Sequence, residues 1–180
     1  MKNQNTKKLA YAALFLALCL VLPMLTGQIP QIGSMLLPMH IPVLLCGLVC
    51  GWQYGAVVGF VAPLLRSVLF GMPPMYPVAI AMAFELLTYG LVIGLVYRRM
   101  AQKGFAGVYA ALLTAMVAGR LVWGVAEVVL LGLGGKAFTA QAFLAGALLN
   151  AVPGIIVQLV LIPAVMAALQ KAGTVKEYAE

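Results

Sequence analysis

Leu9-Ala10-Tyr11-Ala12-Ala13-Leu14-Phe15-Leu16-Ala17-Leu18-Cys19-Leu20-Val21-Leu22-Pro23-Met24-Leu25 opens a stretch that continues to Leu65 without one Asp, Glu, Lys or Arg. A bilayer crossing takes about 20 apolar residues, so a charge-free run of this length folds back on itself inside hydrocarbon. The rest of the chain has the same character. Its 180 residues are 64% hydrophobic and 8% charged, with a mean hydropathy of +1.09. Soluble domains carry about 25% charged residues, because water must wet their surface. Too few polar groups exist here to cover a globule, so the apolar surface faces lipid. The length suits one membrane domain, residues 1–180, with little mass outside the bilayer.

Breakers divide the chain into six predicted helices, approximately 8–25, 36–50, 54–70, 78–97, 105–133 and 140–170. Thr26 to Ser34 is a polar connection with Gly27, Pro30 and Gly33. Pro38 and Pro42 interrupt the second helix, and Gly51-Trp52-Gln53-Tyr54-Gly55 reads as a tight turn. Gly71-Met72-Pro73-Pro74-Met75-Tyr76-Pro77 is rigid, since each proline fixes φ and removes a donor. Small residues recur four apart (Gly47 and Gly51, Gly55 and Gly59, Ala79 and Ala83, Gly90 and Gly94), the spacing that brings membrane helices close together. Lys2, Lys7 and Lys8 ahead of an apolar run resemble the start of a signal peptide. No small-residue cleavage site follows, so the first helix is expected to be retained.

The basic residues set the orientation. With six crossings, Lys2, Lys7, Lys8, Arg98, Arg99, Lys103, Lys171 and Lys176 fall on one side and only Lys136 on the other. Positive charge concentrates on the cytoplasmic side, so both termini are expected there, in a multi-pass protein of the cell membrane. The net charge of +7 therefore records topology rather than a nucleic-acid surface. Cys19, Cys46 and Cys50 lie in apolar runs with no His or acid at metal-ligand spacing, and read as small packing residues. Neither a metal nor a cofactor is expected.

Four ionisable residues fall inside predicted helices: Arg66, Glu85, Arg120 and Glu127. Each costs about 2.5–3.5 kcal/mol at mid-bilayer even on the lenient insertion scale, so each needs a reason. The alternating helix directions put all four at central or outer depth, together with Asn150 on the sixth helix. Arg120 and Glu127 are seven apart and share a helix face, with Trp123 between them as a stacking plane. One reading is an ion pair, Arg66 or Arg120 with Glu85 or Glu127, that merely makes insertion tolerable. The other is an outward-facing cavity for a polar solute, with arginines that grip a carboxylate or phosphate in bidentate fashion. His40, in Pro38-Met39-His40-Ile41-Pro42, lies at the outer end of the second helix and either lines that cavity or sits at the interface. Gln158 reads as interhelical glue. Gly132-Leu133-Gly134-Gly135-Lys136 fails as a phosphate loop, because Ala137 stands where Ser or Thr is required and no strand precedes it.

The whole pattern resembles the substrate-binding (S) component of energy-coupling factor (ECF) transporters, the vitamin importers of prokaryotes. In that family the first helix carries an Ala-x-x-x-Ala motif that docks on a transmembrane coupling subunit. Ala13-Leu14-Phe15-Leu16-Ala17 matches it, and Ala10 extends the stripe. Gly33 to Leu45 and Gly71-Met72-Pro73-Pro74 also look like members of the family. The resemblance implies a ligand held in the outer half of the bundle, beneath a lid formed by residues 26–34 and 71–77 with Gly27, Gly33 and Gly71 as hinges. It further implies partnership with a coupling (T) subunit and two cytoplasmic ATPases, and toppling of the loaded subunit in the membrane.

The substrate-binding set expected on these grounds is Arg66, Glu85, Arg120, Trp123, Glu127, Asn150 and His40, with Ala10, Ala13 and Ala17 at the coupling interface. Two arginines against two glutamates make a near-neutral cavity, which favours an anionic or zwitterionic water-soluble vitamin or precursor. The rival classes are a small membrane scaffold, a stand-alone transporter without a coupling module, and an enzyme. One His, four acids in all and no metal cluster leave catalysis little to work with.

Overall fold

A computed structural model describes residues 2–25, 35–100, 104–135, 137, 139–146 and 150–173. Every element among them is helical: α1 (Lys2–Leu25), α2 (His40–Cys50), α3 (Trp52–Phe70), a wide turn (Met75–Ala79), α4 (Ile80–Met100), α5 (Phe105–Leu133), α6 (Ala140–Leu144) and α7 (Val152–Lys171). Five helical stretches are long and apolar enough to cross a membrane: Gln4–Leu25, Trp52–Phe70, Met75–Met100, Phe105–Leu133 and Val152–Lys171. The predicted connection 26–34, with Gly27 and Gly33, lies outside the described residues, as do Lys103, Lys136 and Lys176.

The second expected crossing differs. α2 has 11 residues, about 16 Å of helix, or half the thickness of the hydrocarbon layer. Its start is delayed from 36 to His40 because Leu37 takes a positive φ of 50° and Pro38 and Met39 form a turn. Pro42 falls in the first turn of α2, where its missing N–H costs nothing. What α2 lacks in length it makes up in burial. Val43, Leu44, Leu45, Cys46 and Leu48 are all in the core, with α1, α3 and α4 packed around them. A helix apolar all round belongs in the centre of a bundle.

α2 and α3 are joined by a single residue, Gly51, at φ 99° and ψ 167°, a conformation closed to residues with a Cβ. Helix α3 therefore begins at Trp52 and not at 54. The seam among α2, α3 and α4 is made of backbone. A methyl added to Gly59 would overlap the carbonyl of Leu86, and one on Gly90 the carbonyl of Gly55. Where lipid supplies no hydrophobic drive for helices to associate, such close approach supplies the packing energy.

Of the helix predicted over 140–170, two pieces are described, α6 and α7, with a turn at Asn150 and Ala151 ahead of α7; residues 147–149 lie outside the described residues. α6 starts on Thr139, whose Oγ1 accepts from the N–H of Ala142 at 3.2 Å, and it ends at Leu144. The chain re-enters helix at Val152, with Pro153 in the first turn. Asn150 lies in the turn between them, its N–H bonded to the carbonyl of Ala145 at 2.9 Å.

Candidate binding site

Glu85 occupies the second turn of α4 and is 1% exposed. Ala81, one turn back on the same face, is buried too, and the helix offers Glu85 the Tyr89 hydroxyl but no opposite charge. Compensation comes from other helices. Arg120 Nη1, from the middle of α5, lies 3.0 Å from Glu85 Oε1. His40 Nε2, the first residue of α2, lies 3.4 Å from the same oxygen. One carboxylate oxygen thus gathers three helices.

Tyr89, one turn along α4 from Glu85, holds the imidazole in place. The two rings meet edge to face at 5.2 Å and 65°. Tyr89 in turn fits against Gly119, where any Cβ would come within 2.8 Å of its ring. The residue next to Arg120 is therefore small because an aromatic ring occupies the space. Tyr89 is a site residue that the sequence reading passed over, although its i+4 spacing from Glu85 placed it on the same face.

The arrangement leaves donors over. Both ring nitrogens of His40, Arg120 Nη2, the amide nitrogen of Gln158 and Glu85 Oε1 itself are buried without a hydrogen bond of good geometry among the described residues. Each such group costs about 1–3 kcal/mol. The surplus is mostly in donors, the chemistry that receives a carboxylate, phosphate or carbonyl oxygen. Gln158, expected as interhelical glue, has its amide nitrogen unbonded.

Along α5 the residues on the Arg120 face form a wall. Arg120 Cζ lies 5.9 Å from the ring centre of Trp123. The indole stacks on Phe143 of α6 at 6.1 Å and 25°, and Gly124 leaves the room that Phe143 fills. Trp123 thus gives one face to the protein itself, which the sequence could not indicate. Glu127, two turns beyond Arg120, is 6% exposed and forms no ion pair among the described residues.

Two expected members stand apart. Arg66, 2% exposed, turns toward α1. Its Nη1 donates to the carbonyl of Leu20, and its guanidinium sits 5.2 Å over the ring of Phe70. Its charge is met by a carbonyl dipole and an aromatic face, and not by Glu85 or Glu127. Asn150 is exposed because the break before α7 takes it off any continuous helical face. On α1, the expected interface residues Ala10, Ala13 and Ala17 are exposed while Ala12, Phe15 and Cys19 face the core.

A family model described as the ECF transporter, substrate-specific component, matches residues 7–166. The chain belongs to this family. The matched span runs from the first turns of α1 into the last turns of α7 and includes His40, Glu85, Arg120 and Glu127. The family is one of transport proteins and not of enzymes. As a substrate-specific component the chain is a membrane protein that binds a small molecule. No curated protein and no solved structure matches it.

Proposed function

We propose that this substrate-specific component captures an anionic or zwitterionic water-soluble vitamin or precursor from outside the cell and passes it to an ATP-driven coupling module. The observation that carries the reading is the set of buried nitrogens on Arg120 and His40 left without a hydrogen bond beside the Arg120–Glu85 pair. A scaffold needs no such set. It gains more from an apolar core, since a buried ion pair is seldom more stabilising than the hydrophobic residues that would replace it.

Further features support the rest of the reading. Leu20 meets Arg66 and Cys19 Sγ meets the carbonyl of Met39 at 3.6 Å, so α1 and α3 end together and α2 runs back between them. That path supports termini on one face, and the basic residues favour the cytoplasmic one. The site then opens outward. Exposed Ala10, Ala13 and Ala17 form a smooth stripe suited to reversible docking of a transmembrane coupling subunit with its two ATPases. Residues 71–77 supply part of a lid, with Gly71 at φ 70° and Tyr76 tied to the carbonyl of Leu130. The ligand contacts are assigned to Arg120, His40, Trp123 and Glu127, with Glu85 as the internal counter-ion. Arg66 is placed outside the contact set.

Purifying the protein from cells and identifying retained small molecules by mass spectrometry tests the proposal. The expected result is one low-mass acid or zwitterion, rebinding to the stripped protein at about one per chain. A protein that never retains or rebinds a small molecule would count against capture.

A further inference from the structure

The charge around Glu85 changes once Arg66 is removed from it. Arg120 is paired to Glu85, and Glu127 follows Arg120 two turns along α5. Two carboxylates then stand with one guanidinium, and that guanidinium is already taken by Glu85. Glu127 has no cation of the protein to meet it among the described residues, and an ionised carboxylate is costly to bury unpaired. It stands on the same stripe of α5 as Arg120 and Trp123, at spacings of three and four that keep all three on one helix face.

Resting on the capture reading above, we infer that the ligand is bipolar and lies along α5, with an acceptor group at Arg120 and His40 and a protonated amine or N–H-rich ring at Glu127. The two ends of the site are chemically opposite. At the Arg120 end the unmet donors are Arg120 Nη2 and the single N–H that a neutral His40 ring carries. At the Glu127 end stands an acceptor, a carboxylate that makes no ion pair among the described residues. Between them the Trp123 ring, fixed against Phe143, sets a flat boundary that suits an aromatic or heterocyclic body. Seven residues of helix separate the ends by about 10 Å. A hydrogen bond of about 3 Å at each end leaves roughly 4 Å along the helix axis between the ligand's two poles, about the span of a single ring. A simple monoanion would satisfy Arg120 and leave Glu127 as it is, so the site selects for the second pole.

The test is calorimetric titration of the full-length, ligand-stripped protein in nanodiscs with three probes: 4-(aminomethyl)benzoate, benzoate and benzylamine. 4-(Aminomethyl)benzoate is expected to bind at least tenfold more tightly than either single-pole probe. E127Q should remove that advantage while benzoate binds at least as tightly as to the parent, which also shows that the variant is folded, and E127D should restore part of it. Benzoate binding as tightly as the zwitterion, an unchanged zwitterion affinity in E127Q, or no binding by any probe would each overturn the bipolar assignment. The capture reading fails separately, only if the purified protein also retains no small molecule by mass spectrometry. A retained monoanion with no donor group would sink the bipolar ligand and leave capture standing.

Discussion

Arg120 reaches Glu85 across the α4–α5 contact at 3.0 Å, and that pair is the centre on which His40, Tyr89 and Trp123 are arranged. The carboxylate has no solvent to fall back on, since Glu85 is 1% exposed. Removing the carboxylate strands a guanidinium in a nonpolar place. Glu85→Ala is expected to destabilise by about 3–5 kcal/mol, and Glu85→Ala with Arg120→Leu to recover a large part of that loss. Thermal unfolding in detergent measures both. A single variant as stable as the parent would show that the pair carries no structural weight.

The seam of α3 with α4 makes a second expectation. Gly59→Ala forces a methyl into the carbonyl of Leu86, and the backbone there cannot yield as a side chain would. A loss of about 1–3 kcal/mol follows from overpacking. Exposed Ala17→Leu serves as the control, with an effect near zero on the same thermal measurement.

Docking separates from binding on α1. Ala13→Trp with Ala17→Trp roughens a surface that faces away from the core. Ligand affinity should stay within about twofold, below 0.5 kcal/mol as for surface changes away from special features, while ATP-driven uptake in proteoliposomes with a coupling module collapses. Equal loss of both would place the stripe inside the fold's own packing.

Tyr76 ties the wide turn before α4 to the end of α5 through its hydroxyl and the carbonyl of Leu130. Tyr76→Phe removes one hydrogen bond, worth about 1 kcal/mol. If this segment covers the ligand, its dissociation should quicken by roughly fivefold at that energy. Stopped-flow release of the bound ligand reads this directly, and an unchanged rate would take the segment out of the gate.

Much of this was legible before any coordinates. The charge-free run from Leu9 to Leu65 dictated a helical membrane protein, and Ala13-Leu14-Phe15-Leu16-Ala17 in the first helix pointed to the family. Arg120 and Glu85 stood out because charge in hydrocarbon demands a partner. What stayed hidden was which partner. Arg66 and Arg120 are equivalent as residue types, and only the packing of α1 beside α3 offers Arg66 the Leu20 carbonyl and leaves Glu85 to Arg120. The length of α2 was hidden as well, because it depends on a positive φ at Leu37, a residue with no visible preference for one. The break before α7 had its signals in Gly146 and Pro153, but apolar periodicity on both sides masked them. His40 was ambiguous in sequence because its role rests on α4 and α5, which lie far along the chain.

The glycine seam also bears on how such a subunit can diversify. Along α2, α3 and α4 main chain touches main chain, so almost any enlargement there is forbidden and that wall is frozen in shape. α5 and α6 meet through side chains, Trp123 against Phe143, and side chains can be exchanged one at a time. A lineage that came to carry a different cargo would therefore be expected to rewrite the α5–α6 wall and inherit the other unaltered.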